Sequence, residues 1–102
     1  MILRWTSTAA QDMVSIKEFK AKESLVFADE FVDRVFDRLE NQILPFPQSG
    51  QIVAEYGRDD INEIVVYSFR VIFQIRSSEI TVLAVIHGAN PLPRNPPLPS
   101  NG

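Results

Sequence analysis

The spacing of apolar residues changes once along the chain. Up to Pro45 they recur every three or four positions, and beyond Gly50 they alternate or run together. The first half therefore predicts helices and the second half strands. Residues 2–5 (ILRW) read as a short opening strand. Ser7 and Thr8 offer capping hydroxyls, and Thr8 with Gln11 fits a capping box, which predicts a helix over about 9–21. Ala9, Met13, Ile16 and the stem of Lys20 form its inner stripe, with Gln11, Lys17 and Glu18 facing water. Ser24 caps a second helix over about 25–43, where Ala28, Val32, Val35, Leu39 and Ile43 face the core and Phe31 and Phe36 widen the stripe. Pro45 and Pro47 end it. The short break at 21–24 folds the pair into an antiparallel hairpin.

After Gly50, QIVAEY, INEIVVY, SFRVIFQI and EITVLAVI are separated by turn residues such as GRDD. Four consecutive strands with short links predict an antiparallel meander that the helical hairpin covers on one face. The result is a two-layer α+β domain with an N-terminal strand. Placing Ile75 opposite Ile80 puts Phe69, Val71, Phe73 and Ile75 beside Ile80, Val82, Ala84 and Ile86, an entirely apolar face to lie under the helices. The other face collects Arg70, Ile72, Gln74 and Arg76 with Glu79, Thr81, Leu83, Val85 and His87. In that register Arg76 pairs with Glu79, and His87 lies diagonal to Arg70 at about 7–8 Å. Gly88 would let the chain turn after His87.

A chain of 102 residues is one domain, expected over 1–90, and five prolines in the last twelve residues predict a mobile tail over 91–102. No apolar run reaches the roughly 18 residues of a membrane span, and no long apolar leader core is present, so a cytoplasmic location is the expectation. With no Cys and one His, neither a disulfide framework nor a structural zinc site is expected, and no cofactor motif appears. Ten basic and 13 acidic residues give a net charge of −3, which does not recruit nucleic acid as a basic surface would. No sequence-specific nucleic-acid binding is expected.

Arg70, His87, Glu63 and Arg58 are the candidate polar sheet-face site. The simplest roles compete with function at each of them. A strand-end His is most often a hydrogen-bonded structural residue, Arg70 would ordinarily pair with Glu55 or Glu63, and Arg58, Asp59 and Asp60 suit a turn. Phe27, Phe31, Phe36, Phe69 and Phe73 read as core. Val14, Phe19, Leu25 and Phe27 fall off the main core stripes and are candidate partner-binding residues.

Several strings in this order resemble the ParE branch of the RelE/ParE superfamily of bacterial toxins: ILRWTSTAAQDM, LPFPQSGQIVAEYGRDDINEIVVYSFRVIFQI and ITVLAVIHGANPLP, together spanning nearly all of residues 2–93. Arg70 matches the family's Tyr-Arg strand signature, His87 and Gly88 its closing His-Gly, and Glu63 the Glu of a frequent Arg-Glu pair. The resemblance implies a helical hairpin on a twisted antiparallel sheet, a toxin of a type II toxin–antitoxin module acting on DNA gyrase, and a cognate ParD-like antitoxin with a ribbon–helix–helix amino terminus. Val14, Phe19, Leu25 and Phe27 would then receive the antitoxin. Phe69, Asn62 and Asn90 stand where Tyr, Arg and Arg are usual, and each loses a polar handle or a charge. Two other readings follow. A RelE-type ribosome-dependent mRNA endonuclease would use Arg70 and Arg76 to steady phosphate and His87 as acid or base, and a non-toxic relic would keep only antitoxin binding.

Overall fold

The computed structural model describes residues 1–99. The elements run β1 (Ile2–Trp5), α1 (Ser7–Ala21), α2 (Leu25–Arg38), β2 (Gln51–Ile52), β3 (Ile61–Val66), β4 (Phe69–Ile75) and β5 (Glu79–His87). The five strands form one sheet in the order β1-β5-β4-β3-β2. β2 through β5 are antiparallel neighbours, as their short links require, whereas β1 lies parallel to β5 with Ile2 opposite Glu79. The sheet is therefore mixed, because α1 sits between β1 and the meander and returns the chain to the far edge.

Thr6, not Thr8, caps α1. Its hydroxyl accepts from the Ala9 N–H at 3.0 Å, so the helix starts earlier than the predicted Thr8–Gln11 box. Ser24 caps α2 as expected, accepting from the Phe27 N–H. The long second helix loosens into a π-helical turn over Leu39–Ile43, which keeps Leu39 and Ile43 pointing inward before Pro45. QIVAEY pairs only at Gln51–Ile52 and then turns, since Val53 is drawn in as a core residue and Gly57 adopts φ +58°. Gly50 passes so close to β3 that a Cβ there would lie 2.8 Å from the Glu63 carbonyl. Past β2 the β3 edge is bare, and Arg38 Nη1 donates to the exposed-edge Val65 carbonyl.

Under the helices, Ile64, Val66, Phe69, Val71, Phe73, Ile80, Val82 and Val85 pack against Ala9, Met13, Phe31, Val35, Leu39 and Ile43. Trp5 joins Phe36 at 5.2 Å. On the opposite face a second, smaller cluster joins Ile61, Ile72 and Leu83 to Val53, with Tyr56, Ile86 and Leu92 against it. The face predicted to be polar is thus partly apolar and covered by loops. Tyr56 donates its hydroxyl to the Pro93 carbonyl at 2.8 Å, tying the start of the proline-rich tail to this face. The last three residues of that predicted tail, 100–102, lie outside the described ones.

One register detail changes the site. Ile75 faces Ile80 as expected, and the same frame holds to Phe73 opposite Val82. Then a β-bulge inserts Leu83, so Ile72 faces Ala84 and Phe69 faces His87. Beyond the bulge every β5 side chain is on the other face from the one predicted. Val85 enters the helix-side core, and Ala84 and Ile86 leave it. The bulge is held from α1's side: Thr6 donates its hydroxyl to the Leu83 carbonyl at 3.1 Å, and Asp12 accepts the Val85 N–H at 2.9 Å. Burial raises the Asp12 carboxyl above its usual range, with that N–H pulling the other way.

Candidate functional site

Arg70 stands on β4 opposite Val65, on the loop-covered face. Its guanidinium is engaged on two sides. Nε and Nη2 donate to the two Glu63 oxygens at 2.8 and 2.6 Å, and Nη1 and Nη2 donate to the two Glu55 oxygens at 2.7 and 2.9 Å. These bidentate pairs join β4, β3 and the 53–57 loop. Glu55 is held down to about 2, first by its hydrogen bonds from Arg70, and Arg70 is pushed further up, first by Glu55 and then by Glu63. One cation between two carboxylates leaves a local charge of −1. Such a group is a clamp, and it has little left to offer a phosphate.

Arg58 does not join it. Arg58 donates to both oxygens of Asp60 at 3.0 and 2.8 Å, and Asp60 also accepts from buried Gln74. These hydrogen bonds, Arg58 first, draw the Asp60 carboxyl below its usual range. Gln74 lies four residues along β4 from Arg70, roughly 13 Å at strand rise. Glu79 is taken by Arg4 at 2.6 Å across the parallel β1–β5 pair, so the predicted Arg76–Glu79 pair gives way to a neighbour the meander did not include.

His87 is not on this face at all. The bulge at Leu83 turns it to the helix side, where its ring meets Phe69 edge-on at 5.2 Å. Nδ1 accepts the Ala89 N–H at 3.1 Å. Gly88 continues the ladder by donating to the Ser68 carbonyl, and the chain turns afterwards through the Asn90 N–H to the His87 carbonyl. Arg76 is exposed at the far end of the β4–β5 hairpin, roughly 25 Å of strand away. Arg70, Arg76 and His87, which a shared phosphate would need together, are on different faces or at different ends.

His87 belongs instead to an aromatic end of the molecule. Lys20 of α1 places its ammonium 4.6 Å over the Phe27 ring, 5.1 Å over Phe69 and 5.7 Å over Phe31. Tyr67, in the tight β3–β4 turn at φ +53°, stacks on Phe27 at 5.4 Å, with the Arg34 guanidinium 5.9 Å from its ring. Sequence reasoning placed only the Lys20 stem here and read Tyr67 as strand. The available signal was that Lys20 is the one cation on α1's inner stripe.

The partner-binding candidates are open to solvent: Val14 is 48% exposed, Phe19 65%, Leu25 72% and Phe27 38%. Val26, at 69%, is also exposed and was not singled out from the sequence. Phe27 and Phe36, expected in the core, are only half covered. Among the described residues, no group of three His, Cys, Asp or Glu side chains is placed to hold a metal ion, and no helix is long and apolar enough to cross a membrane.

A mixed five-strand sheet under a helical hairpin, with Arg70 locked into a clamp between two carboxylates, defines a small α+β protein. The family described as the ParE toxin of the type II toxin–antitoxin system parDE matches residues 3–92, and the chain belongs to that family. Among solved structures it is similar to a chain of the chromosomal ParDE toxin–antitoxin system from P. aeruginosa, with a TM-score of 0.63 and 19% identity over 85% of this chain and 95% of that one. That likeness is one of fold. No curated protein sequence matches the chain.

Proposed function

We propose that this toxin acts by contact on DNA gyrase in the cytoplasm and is neutralised by a cognate ParD-like antitoxin that docks on Val14, Phe19, Leu25 and Phe27. Membership of the ParE family over residues 3–92 is the observation that carries the reading. The site geometry favours it over the endonuclease reading, because Arg70 is committed to Glu55 and Glu63 while His87 faces the opposite side of the sheet. The ParDE neighbour belongs to a two-component system, which supports an antitoxin partner here.

Purified chain added to a gyrase supercoiling assay is expected to slow turnover or trap cleaved DNA, and its antitoxin to reverse the effect. Normal supercoiling at large molar excess, with new mRNA ends inside codons after induction, would instead select the endonuclease. Unimpaired growth on induction without antitoxin would select the non-toxic relic, the reading motivated by Phe69, Asn62 and Asn90. Asn62 is buried and donates to the Asp59 carbonyl, a structural use. Phe27→Asp is expected to weaken the antitoxin complex more than it lowers thermal stability, since over a third of the residue is open in the free protein. Equal losses in the two measurements would count against this docking surface.

A further inference from the structure

We propose that Lys20 is the electrostatic anchor of the antitoxin interface: it receives one carboxylate from the docked segment, whose apolar neighbour covers the Phe27–Tyr67 pair. The inference rests on the antitoxin reading above and deepens it.

The chain has 13 acidic residues against ten basic ones, yet among the described residues Lys20 has no carboxylate within ion-pairing distance. Lys17, one turn earlier on α1, reaches Asp29 at 3.6 Å, and Arg4, Arg58 and Arg70 are also paired, whereas Lys22, Arg34, Arg38, Arg76 and Arg94 share with Lys20 the lack of an ion pair among the described residues. Rings take that place at Lys20. The faces of Phe27, Phe31 and Phe69 hold the ammonium by cation–π attraction, which positions the charge without neutralising it. A fixed, half-buried, uncompensated cation beside exposed apolar surface is complementary to an acidic residue set among apolar ones.

Tyr67 shapes the surface next to it. A bulky residue at φ +53° is held against its preference. The ring it positions is 45% exposed and extends Phe27 into a two-ring platform. On the far side of Tyr67 lies a shallow recess of about 370 Å³ lined by Glu30, Asp33, Arg34 and Asp37. Three carboxylates around one arginine repel an incoming acid, so a carboxylate entering the platform is directed to the Lys20 end. The two ends thereby fix the direction of the bound segment. A single-stranded nucleic acid could also stack on the rings, but its next phosphates would cross those three carboxylates. An apolar polypeptide with one acidic residue avoids that repulsion.

The test titrates wild type, Lys20→Met and Lys20→Arg with the antitoxin of the same operon by calorimetry, at low and high salt. Wild-type affinity is expected to fall with salt. Lys20→Met should bind roughly tenfold more weakly at low salt with a flattened salt dependence, and Lys20→Arg should stay close to wild type. Unchanged melting of both variants shows that the fold survives. Wild-type affinity and salt dependence in Lys20→Met would overturn the anchor and leave the antitoxin reading standing, as would equal loss in the Met and Arg variants. An antitoxin that fails to bind wild type would overturn both. A labelled single-stranded oligonucleotide retained by wild type and lost by Lys20→Met would reassign the platform to nucleic acid.

Discussion

On the helix side of the sheet, Ile64, Val71, Phe73 and Val82 meet Phe31, Val35, Leu39 and Ile43 from a regular amphipathic stripe. On the other side the same strands offer Ile61, Ile72 and Leu83 to Val53, Tyr56 and Leu92, which arrive from loops. A helix delivers an apolar residue every turn, so it can cover a sheet with hydrocarbon alone. A loop brings few apolar side chains and carries backbone polar groups that need partners. The loop-covered face completes its cover with the Arg70–Glu55–Glu63 clamp and the Tyr56–Pro93 hydrogen bond. The two sides of one five-strand sheet thus use different interactions, and this explains why a strand-borne arginine here serves structure.

The contrast can be broken from either side. Phe31→Ala, on the helix side, is expected to cost about 3–5 kcal/mol in urea unfolding, because a fully buried ring leaves a large void. Leu83→Ala, in the loop-side cluster, should cost about 2–4 kcal/mol. If Leu83 proves the costlier of the two, the loop-covered face is the principal core. Arg70→Met strips the buried Glu63 of its partner and should cost about 2–3 kcal/mol. Adding Glu63→Gln to that variant should restore at least half of the loss, and no restoration would mean that packing of the Arg70 stem dominates.

Asp12→Ala leaves the Val85 N–H at the bulge unpaired, a loss of about 1–2 kcal/mol. Asp12→Asn keeps an acceptor, and it also removes a group whose raised pKa makes stability fall as pH rises above its ordinary 3.8. Its stability at neutral pH should therefore exceed that of Asp12→Ala. The smallest effect is expected at Glu55. With its pKa lowered from 4.5 to about 2, its contribution is complete above pH 4.5 and fades as pH falls toward 2. Glu55→Gln should flatten the acid limb of the stability profile in that window, and because the side chain is half exposed the change at pH 7 should be slight.

Much of this was legible in the chain. The helix stripes, the meander, the Ile75–Ile80 frame and the Arg70 pairing with Glu55 and Glu63 all follow from period and charge. The bulge did not, for a physical reason. Residues 82–86 read VLAVI, so a one-residue insertion exchanges apolar for apolar and no polar residue marks the change of face. The only trace was that Val85, a large apolar residue, fell on a face predicted to be polar. His87, the one polar marker downstream, was therefore put on the wrong side. The Lys20 platform was hidden differently, since its members come from α1, α2, the β3–β4 turn and β4, and only tertiary packing brings them together.

The pairing of β1 with β5 has a consequence for how the molecule comes into being. Residues 2–5 are synthesised well before residues 79–82, and their hydrogen-bonding neighbour does not exist until then. Thr6 and Asp12 wait equally long for the bulge they secure. Such end-to-end closure makes folding slow and late. A chain lacking β5 would leave β1 without its pairing partner and the β4 edge open, so the sheet closes only once residues 79–87 are in place.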